Sequence, residues 1–261
     1  MEKSVSSTAQ AKQKSVEFTG TDLKLIAVIT MLIDHIGVAI MAKMIRHGID
    51  PFPFVDTIDL YHVMRIIGRM AFPIYCYMLV EGFIYTRNVK KYGLRLLAIA
   101  VLSEIPFNLV VRQTFFTFEK NNVLWELLLG LVVLYALKEI DKKQLEYRLS
   151  GFLRSCALLI GMVVAHFANL DYGEAGICCI TAMYVLNGSD KIKRLMAFAT
   201  GVAVLALLDN KTEAWAFFML IPMFYYEGNR GFDNKALRLF FYLFYPVHLL
   251  ILALIANLFI L

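Results

Sequence analysis

The sequence predicts an all-α, polytopic transmembrane bundle of about nine spans, with the N-terminus in the cytoplasm and the C-terminus outside. Three observations predict it. Apolar residues make up 59% of the 261-residue chain and charged residues 18%, with a mean hydropathy of +0.64, against roughly 45–50% and 25% in soluble domains. Apolar runs near the ~20 residues that cross a ~30 Å hydrocarbon core recur along the whole chain. Lys and Arg gather in alternate loops, as they do on the cytoplasmic side of a membrane. One multi-pass domain, 21–261, is therefore expected in the cytoplasmic (inner) membrane, in contact with membrane lipids, with no soluble catalytic module attached.

Residues 1–20, MEKSVSSTAQAKQKSVEFTG, are polar, rich in Ser, Lys and Gln, and lack an apolar h-region. They are expected to form a short disordered cytosolic tail. Thr21 is a candidate N-cap for the first helix, with Asp22 where the helix dipole favours negative charge. Apolar runs and their breakers give spans at 22–46, 60–86, 90–112, 122–138, 149–169, 174–187, 191–209, 212–227 and 237–260. The sixth and eighth are short. They are expected to be tilted, re-entrant or buried, because irregular backbone survives at membrane depth only where protein shelters it.

The loops give an independent check. Cations sit in the tail (Lys3, Lys12, Lys14) and then at Arg87–Arg95, Lys138–Arg148, Lys191–Arg194 and Arg230–Arg238, while the intervening loops carry few. The net charge of +5 is thus a topology signal, and no nucleic-acid partner is needed to explain it. No internal repeat is evident, which weighs against inverted-repeat transporter folds.

Ionisable residues inside the spans carry the functional signal. Asp34 and His35, in LIDHIG, fall near the middle of the first span, where a charge costs roughly 2.5–3.5 kcal/mol on insertion scales. Arg65 and Arg69 of RIIGR lie roughly 8 and 14 Å in from the outer end of the second span and share one face. Glu104 and Glu126 fall in the outer halves of the third and fourth spans, and His248 near the middle of the last, just after Pro246. The missing N–H of Pro246 leaves a carbonyl one turn earlier open to another donor.

Each residue also has a structural explanation. Asp34 can form an ion pair with either arginine, the arginines can snorkel outward, Glu81 can be solvated by the basic loop nearby, and His248 can bond a backbone carbonyl. Together, two His, two Arg and several carboxylates in one layer exceed what helix packing requires. Cys76, Cys156, Cys178 and Cys179 read as small buried apolar residues. His47, His62 and His166 are scattered at span ends, so no metal is expected.

LKLIAVITMLIDHIG, RIIGRMAFPIYCYMLVEGFIYTRNVKKYGLRLLAIAVLSEIPFN, NNVLWELLLGL, DYGEAGI and FYLFYPVHLLILALI, in that order, resemble the TraX family of membrane proteins from about residue 20 to the end. The family is named after the factor that N-acetylates the pilin of conjugative pili. It looks like a distant relative of transmembrane acyltransferases that use cytosolic acetyl-CoA to acylate sugars or amines at the outer face. Those proteins often carry Arg, ten residues, then His in the first span; here Lys24 stands at that place. The resemblance implies an integral membrane acetyltransferase with acetyl-CoA as co-substrate, acting on a peptide amine, a glycan hydroxyl or a small amine, N-terminal acetylation of pilin among them.

Acyl transfer makes chemical sense of the polar layer. His35 is the expected base, and Arg65 and Arg69 the expected oxyanion donors. Asp34, about 100° round the helix from His35, is assigned to hold an arginine; Glu104 or Glu126 is expected to orient His35. Lys24, Arg87, Lys90, Lys91 and Arg95 form a cytosolic basic rim suited to the phosphates of coenzyme A, although cytoplasmic charge bias alone explains most of it. Two other classes remain open: a proton-coupled transporter with Asp34, His35, Glu104 and His248 as a relay, and a noncatalytic membrane subunit of pilus assembly.

Overall fold

The computed structural model describes residues 17–50, 52 and 54–259; the tail expected over 1–20 lies outside them up to residue 16. Thr19, rather than Thr21, is the N-cap of the first helix. It forms a capping box with Asp22, while the Thr21 hydroxyl donates to the carbonyls of Arg230 and Phe232.

Among the described residues the regular elements are all helices, with one isolated bridge between Phe18 and Tyr226. Helix α1 spans Gly20–Arg46, with a π-helical stretch at Gly37–Met41. There follow α2 (Thr57–Gly68) and α3 (Ala71–Tyr85), α4 (Val89–Val111), α5 (Val123–Lys142), α6 (Tyr147–Phe167), α7 (Gly173–Leu186) and α8 (Lys191–Leu208). A 3₁₀ helix, Lys211–Met219, leads into α9 (Leu220–Phe224), and α10 (Lys235–Phe259) closes the bundle. Polar caps mark the entries: Asp56, Asn88, Asn122, Asp190 and Asn210 each accept a backbone N–H from within the first turn of the helix they begin.

Among the described residues, five stretches are long and apolar enough to cross a membrane: Gly20–Arg46, Thr57–Tyr85, Val89–Val111, Tyr147–Phe167 and Lys235–Leu258. The other four expected spans are shorter or more charged. Helices α5 and α8 have the length but carry charged terminal turns. Helix α7 has 14 residues, about 21 Å. It sits inside the bundle, against α3, α5, α6 and α8, with Ile177, Cys179, Ile180 and Met183 fully buried. The eighth segment is the least regular, a nine-residue 3₁₀ helix followed by one α turn.

The chain runs back and forth between two ends. At one end the residues preceding α1 bond the loop after α9, through Phe18 N–H to Tyr225 O and Gly20 N–H to Asn229 O. At the other, Asn121 bonds Ala168 and Asn169, and Lys43 of α1 donates to Ala256 O near the last turn of α10 at 2.7 Å. A large apolar core surrounds α7; a second, formed by Met31, Ala71, Phe107, Tyr245 and Leu249, joins α1, α3, α4 and α10. The polar layer sits beside the second.

Candidate functional site

Asp34 projects from α1 onto α2. Its Oδ2 accepts from Arg65 Nη1 at 2.6 Å, and its Oδ1 lies 3.7 Å from Arg69 Nη2. Gly68, between the two arginines, makes this contact possible: a Cβ there would stand 2.0 Å from Asp34 Oδ1. One turn along, Gly37 of α1 lies against Met64 of α2, so α1 and α2 meet at a glycine from each side. Helix α2 then stops. The bonding switches to tighter i→i−3 bonds at Arg69 and Met70, and Pro73, without an N–H, cannot bond the Arg69 carbonyl and so reinforces the break.

Arg69 has a second partner. Its Nη1 donates to Glu213 Oε1 at 2.8 Å, from the 3₁₀ helix, and its Nε donates to the Arg65 carbonyl. Glu213 is fully buried, and its Oε2 has no hydrogen-bond partner among the described residues. The sequence reading missed Glu213 because DNKTE reads as a loop. The missed signal was charge balance: two buried arginines against Asp34 called for another carboxylate on the same side of the bundle.

His35 and His248 form the other half of the layer. His35 Nδ1 lies 2.7 Å from His248 Nε2, and His248 Nδ1 lies 2.6 Å from the Phe244 carbonyl oxygen. A carbonyl only accepts, so His248 Nδ1 carries a proton. In a neutral His248, Nε2 is then the acceptor, and His35 donates to it from Nδ1. This leaves His35 Nε2 with a free lone pair. The His248 ring stacks between Phe244 and His35, at 4.6 and 4.9 Å between ring centroids, and Tyr245 lies edge-on to both imidazoles. The carboxylate expected to orient His35 is thus replaced by an imidazole, held by the i−4 carbonyl of its own helix.

Glu104 and Glu126 are engaged elsewhere. Glu104 accepts from Asn122 and from Trp125 Nε1, tying α4 to the start of α5. Fully buried Glu126 takes the Tyr172 N–H at 3.3 Å at the N-terminus of α7, where the helix dipole favours a carboxylate. Gly176 provides its seat, since a Cβ there would stand 2.6 Å from Glu126 Oε1. Glu81, for which solvation by the basic loop was one of two open readings, is buried and accepts from Asn187 Nδ2 at 3.0 Å.

The DYGE stretch contributes two residues that sequence reasoning did not single out. Tyr172 stacks flat on Phe72, with centroids 3.7 Å apart. Asp171 pairs with Lys120 at 2.7 Å and lies within electrostatic reach of Asp34, His35, Glu126 and Glu213. Arg65 and Arg69 lie within the same reach of His35.

The expected cofactor rim divides. Arg87 and Lys90 line a pocket of about 250 Å³ together with Lys138 and Lys142 of α5. Lys91 and Arg95 do not line it, and the Lys24 ammonium lies over the Phe241 ring at 5.8 Å. No group of His, Cys, Asp and Glu suited to a metal ion occurs among the described residues.

A family profile described as TraX protein matches residues 19–256. Over 257 residues, 92% of this chain and 96% of the other, the sequence is 28% identical to a probable fimbrial assembly protein FimC, serogroup H1, of Dichelobacter nodosus. It is 23% identical over 201 residues to an uncharacterised protein of Rickettsia prowazekii, covering 77% of this chain and 66% of that protein. No solved structure matches the chain.

Proposed function

The chain belongs to the TraX family, and from that premise we propose that it is a pilus-related integral membrane acetyltransferase. It moves an acetyl group from cytosolic acetyl-CoA to an amine or hydroxyl presented at the outer side, a pilin N-terminus being one acceptor. The observation that carries this reading is the relay from Phe244 through His248 to His35, which leaves His35 Nε2 free to accept a proton. The acceptor N–H or O–H attacks the thioester carbonyl while His35 Nε2 takes its proton; the C–S bond then breaks and coenzyme A leaves as its thiolate.

The guanidinia divide the remaining work. Arg69 is bonded to Glu213, to the Arg65 carbonyl and loosely to Asp34, so it positions its neighbours. Arg65 uses only Nη1 on Asp34 and is 31% exposed, which suits it as the donor to the oxyanion. The basic pocket at Arg87, Lys90, Lys138 and Lys142 suits the phosphates of the donor. His35 lies about 22 Å along α1 from Gly20, so the pantetheine arm reaches into the bundle. We assign that basic end to the cytoplasm and the chain to the inner membrane, with nine passes and the C-terminus outside.

His35→Ala is expected to slow transfer from labelled acetyl-CoA by about 100-fold or more, with the folded protein recovered in normal yield. Transfer at the wild-type rate would remove the assignment. The name of the Dichelobacter relative favours one second reading, a noncatalytic assembly subunit. On that reading His35→Ala and Arg69→Ala both leave pilus assembly intact, and no acetyl transfer is detected in the wild type.

A further inference from the structure

Helix α6 packs on α5 and α7, and a space opens between the three at the level of Arg154 and Leu158. At Gly161 a Cβ would stand 2.6 Å from Val133 and 3.2 Å from Ile177, so the helix lies flush on α5 and α7; at Gly151 nothing lies within 4 Å. The wedge between these levels contains a cavity of about 410 Å³, within the roughly 300–1,000 Å³ of small-molecule sites. Leu137 of α5, Leu158 of α6 and Val185 of α7 give it an apolar side, with Tyr184 of α7 next to them. Thr181 of α7 also lines it, is 9% exposed, and its hydroxyl has no hydrogen-bond partner among the described residues.

The mouth is polar and carries both signs. Arg154 Nε and Nη2 both donate to Asp141 Oδ1, so the Nη1 group and the second carboxylate oxygen remain for a ligand. Both residues are exposed, as is Ser155 beside them. Helix α6 is the least buried of the five long apolar stretches, at 11% of its most apolar window, so the surroundings of this cavity are lipid. An apolar wedge open to the bilayer, headed by a guanidinium and lined by an unsatisfied hydroxyl, matches an amphiphile with a phosphate at one end.

We propose that the wedge between α5, α6 and α7 binds one glycerophospholipid. An acyl chain lies along Leu137, Leu158 and Val185, the phosphate meets Arg154, and an ester carbonyl is the acceptor for the Thr181 hydroxyl. The site is separate from the His35 layer and does not depend on the acetyl-transfer reading.

The test is native mass spectrometry of the full-length protein, delipidated in detergent and then offered phosphatidylethanolamine, phosphatidylglycerol or diacylglycerol with the same chains. Wild type is expected to retain one phospholipid per chain, of either head group, at least tenfold more than diacylglycerol. Ser155→Trp, which fills the wedge from its exposed side, should retain none. Arg154→Ala should bring phospholipid retention down to that of diacylglycerol. Circular dichroism and a single gel-filtration peak establish that both variants fold. No retained lipid in the wild type, equal retention of diacylglycerol, or unchanged retention in both variants would each overturn the site.

Discussion

Glu213 and Arg69 are the pair on which the buried charge balance turns. Removing the carboxylate by Glu213→Ala leaves a mostly buried guanidinium with one bond to the Arg65 carbonyl and a distant contact to Asp34. The expected loss of stability is about 3–5 kcal/mol, read as a fall in melting temperature, with Glu213→Gln less severe because its amide oxygen still accepts. His248→Phe keeps the stacking between Phe244 and His35 but removes the acceptor for His35 Nδ1–H. One hydrogen bond is worth about 1 kcal/mol, so acetyl transfer is expected to slow about fivefold, with KM for acetyl-CoA unchanged; an unaltered rate would dissociate the two imidazoles in function. Asp34, His35, Arg65, Arg69 and His248 were all legible in the sequence because ionisable groups stand out in apolar runs. Their pairing was less so. Glu104 and Glu126 sit at comparable depth to the site, and only the packing of α4, α5 and α7 shows that they bond Asn122, Trp125 and the Tyr172 N–H instead.

At the scale of elements, the crossing of α1 and α2 fixes the geometry of the site, and it depends on a residue with no side chain. Gly68→Ala would drive a methyl into the Asp34 carboxylate and β-carbon, which would lie 2.0 and 2.4 Å from it. Overpacking of this kind costs about 1–3 kcal/mol and would separate Asp34 from Arg65, so acetyl transfer should fall together with stability. Gly93→Ala is the control: its Cβ would meet only Leu131 and Leu128 at 3.6 and 4.0 Å, and the change should be neutral or stabilise α4 by up to about 1 kcal/mol. Thermal unfolding of both variants tests the contrast. Helix positions were readable from apolar runs, and the shortness of the sixth and eighth segments pointed to buried or irregular helices. The break at Arg69, the π-helical turn after His35 and the nine-residue 3₁₀ helix were not readable. Such backbone detail is set by tertiary contacts such as Gly37 on Met64 rather than by hydrophobic period.

The molecule as a whole has two chemically different ends. The end with the basic pocket gathers most of the loop Lys and Arg, and the opposite end is tied by Lys120 to Asp171 and by Asn121 to the Ala168 and Asn169 carbonyls. A periplasmically active phosphatase joined after α10 is expected to be active, and the same reporter placed in the α5–α6 loop inactive. The reverse pattern would invert the membrane orientation and with it the side from which the donor enters. Loop charge pointed to two chemically different ends, whereas the contact between α1 and α10 across the chain had no local signature.

That contact has a temporal consequence. Synthesis delivers α1 to the membrane first and α10 after every other helix described, so the ring nitrogen that fixes His35 arrives last. A polypeptide halted before Lys235 is expected to insert and stay inert, and co-expression of the missing helix as a separate fragment should awaken it.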